Sequence, residues 1–244
     1  MKEFNPKWIK IIAAILIIVI LGGVWIYRAV TNGTNVPGNE SGTAAQSITT
    51  TVDRGMSAEQ MKTFTDKIGP LEARIADNEA NGKRDISLVL QLANLYYETG
   101  DLQKASDTYR DILRTNPTDP PALENLAQAQ IEMGDFVGAK ASLIRVSDLE
   151  AYEPTYLKLV DLILAHFPED DAKIQTILEA AIANLGQTPG LLTALGDWYA
   201  SHDQLDEAIS HYEVAHTLSP KDTSITETLA KLKAELASGK GKGK

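Results

Sequence analysis

The side chains that could do chemistry in this chain are four histidines, an acidic triplet and a Gly-Lys tail. His166, His202, His211 and His216 form no pair at metal-ligand spacing on one helix face, and no His-Glu-x-x-His occurs. They read as surface histidines. Gly239-Lys240 carries the closing letters of a phosphate-binding loop, but neither Ser, Thr nor a helix follows. Glu169-Asp170-Asp171 lacks the Asp-x-Asp-x-Asp-Gly spacing of a calcium loop and suits a helix N-terminus, where acidic charge is favoured. There is no Gly-x-Ser-x-Gly, and the absence of cysteine removes disulfides, thiolate catalysis and cysteine metal sites. No catalytic residue, metal or cofactor is expected. An enzyme would need a site assembled across distant elements.

The elements are short helices in pairs. Residues 85–119 place Val89, Leu92, Leu95 and Tyr96 on one apolar face, break at Gly100-Asp101, and resume with Leu102, Ala105, Tyr109, Ile112 and Leu113 before Asn116-Pro117. Asp85 and Asp119 stand where helix caps belong, and Ala93 and Ala105 allow close helix approach. One such hairpin cannot bury its apolar face alone. A shift of 34 residues superposes Leu126-Ala127, Gly134-Asp135, Phe136 and Ala139, and residues 189–222 repeat the plan through Leu195-Gly196, Tyr199, Leu205, Ala208, Tyr212, Ala215 and Pro220.

This pattern resembles the tetratricopeptide repeat (TPR), a 34-residue helix–turn–helix unit. The resemblance implies an all-α, right-handed solenoid with units at 86–119, 120–153, 154–188 and 189–222. Proline follows a capping-type residue at Asp119-Pro120, Glu153-Pro154 and Thr188-Pro189. The third unit is irregular: Asp161 takes the place of a small residue, Ile174 faces it, and Phe167-Pro168-Glu169-Asp170 replaces the Gly-Asp turn, so its helices should pack more widely. Residues 57–84 are expected to form an N-terminal cap of two helices separated at Gly69-Pro70, with Ser57 capping the first. Residues 223–238, with Ile225, Leu229, Leu232 and Leu236 on one face, form a closing cap helix, and 239–244 a disordered tail.

In TPR proteins the first helices of successive units line a concave groove for a peptide or helix. The matching positions here are Leu90, Gln91, Asn94, Tyr97 and Glu98 in unit one, and Glu124, Asn125, Gln128, Ile131 and Glu132 in unit two. Unit three offers Lys158, and unit four Thr193, Asp197 and Ser201. Asn94 and Asn125 match two asparagines of the carboxylate clamp of chaperone-binding TPR domains, but Leu90, Thr155 and Leu159 replace its basic partners. A C-terminal carboxylate is therefore not the expected ligand. Tyr97 and Ile131 beside Glu98, Glu124 and Glu132 suit a neutral or basic protein segment with an apolar anchor.

The ends of the chain bound the setting. Residues 11–27 form an uncharged run with eleven Ile, Leu or Val, flanked by Trp8 on one side and Trp25 and Tyr27 on the other. Residues 8–30 are expected to span a membrane as a single uncleaved helix. Lys2, Lys7 and Lys10 precede it and only Arg28 follows closely, which puts the N-terminus in the cytoplasm and the repeats outside the cytoplasmic membrane. Residues 31–56 read as a flexible linker. Residues 55–239 carry 15 basic against 30 acidic side chains, a surplus that disfavours nucleic acid.

The reading is a membrane-anchored, non-enzymatic scaffold for a protein or peptide partner. It resembles extracytoplasmic bacterial TPR assembly factors of the cytochrome c maturation type and accessory subunits of the secretion translocon. A self-associating structural protein is the main alternative, and an enzyme built across repeats a third.

Overall fold

Ten α-helices and one 3₁₀ turn, with no strand, make up the described residues, which in the computed structural model are 48–239. The expected membrane span and the lysine-rich tail lie outside them. Among the described residues, no helix is long and apolar enough to cross a membrane.

The first helix, α1 (Ala58–Ala80), begins with the reciprocal cap Ser57 and Gln60 form: the Ser57 hydroxyl accepts from the Gln60 amide while the Gln60 side chain accepts from the Ser57 amide. It runs unbroken through Pro70, where two helices were expected. An interior proline costs about 3 kcal/mol. The helix survives it because Phe64, Ile68, Leu71 and Ile75 continue one stripe at helical spacing across Gly69-Pro70, and all four pack on the next hairpin. The stripe overrides the breaker.

Four hairpins follow. Unit one is α2 (Ile86–Glu98) and α3 (Leu102–Thr115); unit two is α4 (Pro120–Met133) and α5 (Phe136–Leu149). Unit three is α6 (Glu153–His166), a 3₁₀ turn (Pro168–Asp170) and α7 (Asp171–Leu185). Unit four is α8 (Pro189–Ser201) and α9 (Leu205–Leu218), and α10 (Thr223–Ala237) closes the array. Asp85, Asp101, Asp119, Asp135, Thr188 and Asp222 each accept a main-chain hydrogen bond in the first turn of the helix they precede. Gly100 and Gly134 take left-handed φ values of 83° and 79° in the first two turns.

The paired small residues do what their size allows. Ala93 faces Ala105's helix and Ala127 faces that of Ala139, all fully buried. Unit three departs from this frame. Its first helix starts one residue early, so Val160, not Asp161, takes the buried position, and Asp161 is exposed. Val160 and Ile174 then fill the space two alanines occupy in units one and two, and the α6–α7 backbones approach along less of their length than in any other unit. Neither α6 nor α7 has a side-chain N-cap.

Candidate functional site

The expected groove positions fall on α2, α4, α6 and α8, and those of units one to three are joined by side-chain hydrogen bonds. Asn94 Oδ1 accepts from the Tyr109 hydroxyl at 2.7 Å and from Asn125 Nδ2 at 3.0 Å. The two asparagines of the apparent clamp therefore bind each other. Gln128 donates to Glu132 at 3.3 Å and accepts from Lys158 Nζ at 2.9 Å, while Glu124 accepts from Thr155 Oγ1 at 2.6 Å. Glu124, Asn125, Gln128, Thr155 and Lys158 border a cleft of about 260 Å³ between units two and three, with Tyr152 and Pro154 also in its lining.

Other positions stand apart. Leu90 and Ile131 turn partly into the core, and Glu98 is exposed with no ion pair among the described residues. Asp197 sits in unit four, accepting from the Tyr212 hydroxyl at 2.6 Å. That bond repeats the Tyr109–Asn94 one at the same offset in the unit, so both groove-side acceptors are tied to their own hairpin. Burial, and for Tyr212 the Asp197 carboxylate, raise both phenols above their ordinary value, so they stay protonated donors.

Tyr97 is the point of convergence. Its hydroxyl donates to Glu132 across the unit one–unit two junction. Burial and that carboxylate push the Tyr97 phenol up. Burial pushes Glu132 up as well, but hydrogen bonds from Tyr97, Gln128 and Arg54 outweigh it and hold the carboxyl below its ordinary range. The junction thus presents a fixed negative charge beside an aromatic face.

Arg54 fills it. The guanidinium lies 4.5 Å from the Tyr97 ring centroid, donates to the Tyr97 carbonyl from Nε at 3.2 Å and Nη2 at 2.9 Å, and donates from Nη1 to Glu132 at 2.7 Å. Residues 48–56, assigned by sequence to the linker, lie as an extended strap against units one and two. The Thr49 amide donates to the Met133 carbonyl, the Val52 amide to the Gly100 carbonyl, and the Thr50 carbonyl accepts from the Gln103 amide, at 2.9–3.0 Å. Gln103 is in the first turn of α3, where the helix's N–H groups have no acceptor within the helix. Val52, Arg54 and Met56 turn inward while Thr51, Asp53 and Gly55 face out, the alternation of a strand. A Cβ on Gly100 would collide with the Val52 carbonyl, so only glycine admits the strap there.

The forces on the strap are closely balanced. Ordering these nine residues costs about 1 kcal/mol each. Three main-chain hydrogen bonds at about 1 kcal/mol each and arginine contacts of about 2–4 kcal/mol, with about 1 kcal/mol each from half-burying Val52 and Met56, add up to a similar total.

Sequence reasoning placed Tyr97 and Glu132 in the groove but not Arg54, Gly100, Tyr109 or Tyr212. A signal existed: Arg54 is the sole cation between Arg28 and Lys62, set in Val52-x-Arg54-x-Met56 alternation. Three of the four histidines stack on aromatic neighbours. His166 stacks on Phe136, His211 on Tyr199, and His202 on Trp198 while pairing with Asp171 at 2.7 Å. Among the described residues, no three His, Asp or Glu side chains are arranged to hold a metal ion.

Residues 86–129 match a family model described as tetratricopeptide repeat. No curated protein sequence matches the chain. Among solved structures, the MamA protein is 19% identical over 63% of this chain and 82% of its own, with a TM-score of 0.53. MamA from residue 41 onward, from Desulfovibrio magneticus RS-1, is 18% identical over 64% and 87%, at 0.52. YrrB, described as a TPR protein with an unusual peptide-binding site, is 15% identical over 68% and 84%, at 0.53. Together they show that the chain has the tetratricopeptide-repeat fold.

Proposed function

We propose that the chain is a membrane-anchored scaffold whose groove holds a protein or peptide partner outside the cytoplasmic membrane, serving the assembly of a complex or the escort of a client, as in cytochrome c maturation. One observation carries the groove reading: this surface already receives an extended polypeptide through its main chain and one arginine. A peptide-binding site described for YrrB, on a similar fold, supports it. The anchor and its orientation rest on the apolar run at 11–27 and the lysines before it.

The test is photocrosslinking from a benzoyl-phenylalanine placed at Gln128, in the cleft, with the full chain in native membranes. One discrete adduct with a second protein is expected. Adducts of the chain with itself alone, or none, would rule the reading out. For topology, a C-terminal alkaline-phosphatase fusion should be active; an inactive fusion at normal expression reverses the orientation.

A further inference from the structure

We propose that the Tyr97–Glu132 junction is an arginine-reading subsite, that residues 48–56 are its internal ligand, and that a partner's extended segment bearing an apolar residue two before an arginine displaces them. This rests on the groove reading above and names its ligand chemistry.

Three observations point the same way. The subsite has the full complement for a guanidinium: an aromatic face, a carbonyl accepting two of its N–H groups and a carboxylate accepting a third. A lysine could not reach carbonyl and carboxylate from one planar group. The combination occurs at one junction, because the position equivalent to Tyr97 is Ile131 in unit two, Leu164 in unit three and Ala200 in unit four, none of which offers an aromatic face.

The strap also has the hallmarks of an exchangeable ligand. Its main-chain bonds are made to Gly100, Gln103 and Met133, groups any extended chain could engage. Only Val52, Arg54 and Met56 of its side chains turn inward, none of them fully buried, and Ile48 is 56% exposed. A resident segment that satisfies the subsite yet buries so little apolar surface leaves it open to a better-anchored competitor. The charge of the groove positions favours a cationic one: Glu98, Glu124, Glu132 and Asp197 are acidic, and Lys158, bonded to Gln128, is the one base among them.

The experiment measures binding of a fluorescein-labelled peptide of sequence 48–56 to the detergent-solubilised full chain and to its Arg54→Ala variant, by fluorescence anisotropy. The variant should bind at least about tenfold more tightly than the parent, because its own strap has lost the arginine. A peptide with alanine in place of arginine should fail to bind either chain, and adding Glu132→Gln to the variant should abolish binding. Circular dichroism melting of each variant checks that the helices persist.

Equal affinity of parent and variant, or affinity indifferent to the peptide's arginine, overturns the proposal. So does a stable dimer by light scattering that dissociates on Arg54→Ala, which would assign the subsite to a second copy. Capture of a partner from Gln128 without arginine-dependent peptide binding removes the subsite and leaves the scaffold. Peptide binding without any captured partner does the reverse.

Discussion

Tyr97 and Glu132 show how a single residue pair gives a polar face a seat for a guanidinium, here that of Arg54. The carboxyl is held below its ordinary range, so its share of stability is complete above the unfolded glutamate value and is lost as pH falls through the lowered one. Strap docking should therefore weaken in acid. Amide exchange at Gln103, whose N–H is given to the Thr50 carbonyl, reads this directly: protection should persist near neutrality and drop below about pH 4. Unchanged protection there would remove Glu132 from the account. Tyr109→Phe tests the other recurrent bond. It strips Asn94 of one donor while leaving Asn125 in place, and should cost about 1 kcal/mol in denaturant unfolding without disturbing the strap. These partners were hard to foresee for a shared reason. A helix-face pattern fixes which residues look into the groove, but Tyr109 and Tyr212 lie on the second helices, and only the hairpin geometry brings their hydroxyls round.

At the level of elements, periodicity outperformed punctuation. The 34-residue spacing located the hairpins because caps, glycine turns and small-residue contacts all coincide. Punctuation misjudged α1, where the Gly69-Pro70 signal competes with a stripe running from Phe64 to Ile75, and the stripe's burial prevails. It also misframed the start of unit three, because Pro154 sits at the second helical position there and not the first. Gly196 tests the register. A Cβ there would lie 2.7 Å from the Tyr212 ring, so Gly196→Trp should wedge α8 from α9 and cost several kcal/mol, about 3 or more, seen as a lowered melting temperature. An unchanged melt would contradict the register. Unit three should be the weakest hairpin, with Val160 against Ile174 and no side-chain cap on either helix. Each missing cap is worth about 1 kcal/mol. Amides of α7 should exchange faster than those of the other three second helices, and equal protection throughout would show that the wider pairing costs nothing.

Over the whole array, the apolar core divides into three successive clusters, each shared mainly between neighbouring units. Such an array is stabilised unit by unit, with no single centre, and its acidic surface is legible from composition alone. What composition could not show is that a piece of the expected linker belongs to the folded body. Its attachment has a quantitative consequence. A tethered segment competes for its own site at an effective concentration that reaches the millimolar range for short tethers. A free ligand's apparent affinity is reduced by the fraction of molecules in which the site stands open. Under the proposed exchange the strap would therefore set a threshold: scattered arginine-bearing peptides at low abundance would be ignored, and only a ligand presented at high local density, or anchored by further contacts along the groove, would take the site.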